Sequence, residues 1–109
     1  MMTTPFDALT QSEKIKFWQD IETNIDHALT LCEAQISDVA VKDIREYLSH
    51  NELGLAWEIF CEELIGSGQA PSNQTGPLIL EVGSRMGYDR PQAHRHELWQ
   101  RINSLCGKD

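Results

Sequence analysis

YLSHNELGLAWEIFCEEL, residues 47–64, is the stretch whose reading decides the fold. Leu53, Ala56, Trp57, Phe60, Cys61 and Leu64 recur in it at steps of one, three and four, the period that sets one stripe of a helix against a core. Leu55 and Ile59 widen the stripe, which predicts a central helix over residues 52–65 packed on more than one side. Asn51 reads as its N-cap, a short polar side chain able to accept from the first free amides, and Glu52 complements the positive end of the helix. Glu58 and Glu62, one turn apart, are left for the exposed surface.

Upstream, residues 10–35 place Ile15, Trp18, Ile21, Ile25, Leu29 and Cys32 at helical spacing and predict the longest helix. Thr10 with Glu13 matches a capping box, and Ser12 is a second candidate cap. Ser37 or Asp38 caps a helix through Val41, Ile44, Tyr47 and Leu48 that ends near residues 49–51. Downstream, GSGQAPSNQTG, residues 66–76, has no apolar period and reads as a loop. Pro77 suits the first turn of a fourth helix, with Leu78, Ile79, Val82 and Met86 facing inward and Gly87 as its stop. Asp89 reads as the cap of a fifth helix that begins at Arg90 or Pro91, carries Leu98, Trp99, Ile102 and Leu105, and ends at Gly107. No stretch alternates in the manner of a strand. The expected architecture is all-α, a single-domain bundle of about five helices over residues 1–109, with residues 1–9 a flexible lead-in.

The 109 residues carry a net charge of −8. Its distribution is uneven: between residues 17 and 63 eleven acids face only Lys42 and Arg45, whereas residues 82–109 are slightly basic. An acidic chain repels phosphates, so direct nucleic-acid binding is not expected, and a basic protein is the partner such charge would steer. The same acidity also suits solubility alone. No apolar run approaches a membrane span, and no signal-type segment opens the chain, which points to the cytosol.

Little here suits catalysis. Cys32, Cys61 and Cys106 are far apart and sit among apolar residues, as structural thiols do. His94 and His96 are two apart on an expected helix, too divergent to grip one ion, and read as surface residues; His27 and His50 lack a neighbouring ligand. No metal, cofactor or enzymatic activity is expected. What remains is the polar turn and its flanks. Asp43, Glu46, His50, Asn51, Glu52, Glu58, Glu62 and Glu63 together read either as an acidic docking surface for a protein or as an ordinary turn with a solvated face.

Tyr47 and Leu48, then His50, Asn51 and Glu52, then LGLAWEIFCEEL form a pattern that resembles the small immunity proteins of bacterial polymorphic toxin systems. The likeness is to the MafI-type and contact-dependent growth inhibition immunity proteins in particular. VGSRMGYD, residues 82–89, followed by Trp99, resembles a later helix end of that family. The resemblance spans half to two thirds of the chain; Trp57, where a smaller aliphatic is commoner, and the glycine-rich loop depart from it. It implies a protein that neutralises a cognate toxin domain, often a nuclease, by masking its active or substrate-binding surface. The acidic balance would fit a basic nuclease. An acidic helical adaptor that binds another basic protein is the alternative reading of the same features.

Overall fold

The computed structural model describes residues 8–107. Five α-helices run in order as α1 (Gln11–Cys32), α2 (Asp38–Ser49), α3 (Leu53–Ser67), α4 (Thr75–Arg85) and α5 (His96–Cys106), with a 3-10 turn at Glu33–Gln35 after α1. Among the described residues there is no strand, and the chain is an all-α bundle. The lead-in at residues 1–9 falls largely outside the described residues.

α3 is the central helix, packed against α1, α2 and α5, while α4 lies on α1 and α5. The core is one cluster: Ile21, Ile25 and Leu29 from α1 meet Ile44 and Leu48 from α2, Trp57, Phe60 and Leu64 from α3, Ile79 and Val82 from α4, and Leu98 and Ile102 from α5. Trp57 is the largest fully buried side chain. Its indole Nε1 donates to the Ile79 carbonyl at 3.0 Å, so the one polar atom of the ring is satisfied inside the core. Gly83 makes room for it: a Cβ there would overlap the edge of the Trp57 ring and stand 3.0 Å from Trp99. A bulky residue on α3 is thus matched by a missing side chain on α4.

Local chemistry fixes the helix starts. At α1, the Glu13 amide donates to Thr10 Oγ1 and the Thr10 amide donates to Glu13 Oε1, a complete capping box. At α2, Ser37 rather than Asp38 is the cap, accepting from the Ala40 amide at 3.1 Å. Pro77 stands in the first turn of α4, as expected.

Three expected helix boundaries are corrected. Asn51 is not the cap of α3. With φ +61 it is the left-handed residue that terminates α2; its amide donates to the Leu48 carbonyl and the Glu52 amide to Tyr47, the paired bonds of a Schellman motif. Second, α3 runs on to Ser67 and stops at left-handed Gly68, so the glycine-rich loop is shorter than its composition suggested. Third, α5 begins at His96, six residues after Arg90. Turns fill residues 88–95, and Asp89 instead accepts from the Ser84 hydroxyl at 2.9 Å. Gly87 does end α4, through a second Schellman motif in which the Gly87 and Tyr88 amides donate to Ser84 and Gly83. Gly107 closes α5.

The apolar stripe of α1 continues beyond the elements that cover it. Ile15 and Trp18, expected inside, are 50% and 37% exposed, and Leu55 on the widened flank of α3 is 45% exposed.

Candidate functional site

The residues singled out in the sequence separate into two groups. On α2, Val39, Asp43, Glu46 and His50 follow at steps of four, three and four, a single exposed stripe. It leads into the turn, where Asn51 and Glu52 are also exposed. His50 Nδ1 lies 2.9 Å from the Glu46 carbonyl, which can only accept, so that nitrogen carries the proton and the ring is held against its own helix. Arg45 is turned the other way, toward α1 and the 3-10 turn after it, where it pairs with Asp26 at 3.2 Å and Glu33 at 3.0 Å. Among the described residues no ion pair engages Asp43, Glu46, Glu52 or Glu63. The fold leaves the carboxylates of this stripe and turn available.

Glu58 belongs to the second group, and its expected exposure is wrong. It is buried at 8% exposure, and its Oε2 accepts a 2.5 Å hydrogen bond from the phenol of Tyr88 while Oε1 faces Arg95 at 3.5 Å. Arg95 also reaches Glu62 at 3.4 Å and Glu97 at 2.8 Å. One guanidinium thus gathers three carboxylates from α3 and α5, with Arg95 itself left-handed at φ +59 just before α5. Tyr88 stacks on Trp57, centroids 4.4 Å apart and planes 24° from parallel. Burial, reinforced by the hydrogen bond to Glu58, pushes the phenol well above its usual range. Glu58 and Glu62 therefore tie the 88–95 turns to α3, Glu58 from inside the protein and Glu62 from its exposed surface, where the sequence placed it. Sequence periodicity has no signal for Arg95, which lies outside any helix. It has none for Tyr88 either, whose partners Trp57 and Glu58 stand on another helix.

A cleft of about 510 Å³ opens where the α2–α3 turn meets the turns after α4. Trp18, Leu55, Met86 and Tyr88 supply its apolar lining, and Asn51, Glu52 and His94 its polar one. Both left-handed terminators, Asn51 and Gly87, line it. Trp18 meets the neighbouring Phe17 edge to face, and Phe17 in turn lies under the Arg85 guanidinium, 4.9 Å away. The sequence placed Asn51 and Glu52 on a surface but did not connect them to Trp18 or Met86, which are 33 or more residues distant.

The remaining reactive groups are held quiet. Burial pushes the thiols of Cys32 and Cys61 up, and that of Cys106 to about 11. His96, expected on the surface, is half-buried, its Nδ1 2.9 Å from the Tyr88 carbonyl. Among the described residues no group of three or more His, Cys, Asp or Glu is placed to hold a metal ion, and no helix is long and apolar enough to cross a membrane.

Comparison with protein-family models, with characterised proteins and with solved structures finds no match to this chain.

Proposed function

We propose that the chain is a bacterial immunity protein that acts in the cytoplasm, binding a cognate toxin domain and masking its active or substrate-binding surface. The observation that carries this reading is the exposed stripe Asp43, Glu46 and His50 running into Asn51 and Glu52, whose carboxylates no ion pair among the described residues engages. Asp26, Glu33, Glu58, Glu62 and Glu97 are by contrast paired within the chain with Arg45 and Arg95. A chain of charge −8 with such a stripe suits a basic partner, and a nuclease domain, which must attract phosphates, is one. The resemblance of residues 47–64 and 82–89 to toxin-immunity proteins supports the same reading.

The test is co-expression with the product of the reading frame immediately upstream. Growth rescue together with a stable complex is the expected result. A complex without toxicity or rescue would favour the acidic adaptor, and neither complex nor rescue would overturn the proposal.

A further inference from the structure

The cleft between the α2–α3 turn and the turns after α4 joins two features. It exposes a tryptophan and a leucine that stand outside the core cluster, and it opens beside the acidic stripe. Trp18 and Leu55 stand on two helices, α1 and α3, and with Met86 they enclose apolar surface at the cleft. Glu52 supplies a carboxylate there, while the turns after α4 contribute His94 and, near Gly87, Arg90. The occupant has to bring apolar surface and answer the carboxylate. A second copy of this chain answers poorly, because each copy carries −8 and the segment that provides Trp18, Glu52 and Leu55 holds most of the negative charge. A basic protein answers both demands.

We infer that this cleft receives an apolar anchor side chain of the basic partner, seated between Trp18, Leu55 and Met86, with an adjacent lysine or arginine of the partner reaching Glu52. The inference rests on the protein-binding reading above and assigns its anchor point. Charged stripes set the rate of encounter, whereas a desolvated apolar anchor sets how long a complex lasts, so the cleft and the α2 stripe have different work.

The probe is a blocked pentapeptide with phenylalanine between two lysines, titrated into the isotope-labelled full chain. The expected result is a saturable shift of the Trp18 indole and of the Gly54, Gly87 and Ala93 amides. Replacing both lysines by glutamate should weaken binding by about tenfold or more, and so should replacing the phenylalanine by alanine. Leu55→Arg, at an exposed helical position, should abolish the shifts while leaving the helical circular dichroism intact. Shifts confined to other residues, equal binding of the glutamate or alanine peptide, or a Trp18 signal that changes with protein concentration alone would each overturn the inference. Because the peptides need no toxin, the two readings fail separately. Rescue without a cleft response removes the anchor and leaves immunity standing, and a cleft response without rescue does the reverse.

Discussion

The phenol of Tyr88 donates to the carboxylate of Glu58 across 30 residues of sequence, and the 2.5 Å bond lies inside the protein beside the Trp57 ring. Removing either partner weakens what holds the other. Glu58→Ala leaves the buried phenol only the Gly54 carbonyl, 3.4 Å away, and Arg95 without one of its three carboxylates, and should cost about 1–3 kcal/mol, read from the urea midpoint. Glu58→Gln keeps an acceptor and should cost less. A double-mutant cycle with Tyr88→Phe should give a coupling well above zero; additive effects would show that the bond contributes nothing.

Alkaline stability should report the same contact. The Tyr88 phenol and the Cys106 thiol both have folded-state values raised above their ordinary ones, Cys106 to about 11 from 9.0. A group raised in this way stabilises the fold fully below its unfolded value and loses that contribution as pH rises through the folded one. Stability should therefore be insensitive to these groups up to about pH 9 and fall above it. Cys106→Ala and Tyr88→Phe should each flatten the decline, and a wild-type curve that stayed level to pH 11 would contradict the assignment.

Asn51 offers a direct test of which end of which helix it serves. As the left-handed end of α2, it should tolerate glycine with little change, while Asn51→Ser should cost about 1 kcal/mol in thermal or urea unfolding. An N-cap would accept serine as readily as asparagine. Indifference to serine would restore the capping role.

Gly83→Ala should be far more damaging than a methyl group on a helix suggests. The added carbon meets the buried Trp57 ring, which cannot swing aside without losing its bond to Ile79. A loss of about 1–3 kcal/mol is expected, and Trp57→Leu in the same chain should recover part of it. Recovery of nothing would place the strain elsewhere.

For the acids, location separates two outcomes. Asp43→Lys with Glu46→Lys should slow association with the proposed partner by about tenfold or more and reduce its salt dependence, with unfolding unchanged. Glu62→Gln should do the opposite, shifting stability slightly through Arg95 and leaving the association rate alone. Equal slowing by both would show that α3 also faces the partner.

Helix content and the core were legible because they follow from local periodicity: Ile21, Ile25 and Leu29, or Leu53, Trp57 and Leu64, share one face of their helix whatever the rest of the chain does. Caps were legible where side chain and amide are three residues apart, as at Thr10 and Ser37. What was hidden depends on residues distant in sequence. Glu58 looks exposed by spacing from Glu62 and is buried because Tyr88 and Arg95 come to it. Trp18 looks buried by its stripe and is 37% exposed, its turn of α1 standing at the open cleft. Asn51 suits a cap and a left-handed terminator equally as a residue type, and only the backbone bonds to Leu48 and Tyr47 decide. The acidic stripe was visible in outline; the cleft beside it was not, since its lining comes from α1, α3 and the turns after α4.

The two Schellman endings of α2 and α4 define the cleft by main chain rather than by side chains. Asn51 and Gly87 hold their turns through amide-to-carbonyl bonds, so Glu52 and Met86, which flank them, are presented on a frame of main chain. A change of side chain at the exposed position 52 therefore alters what the cleft presents without unmaking the turn that carries it.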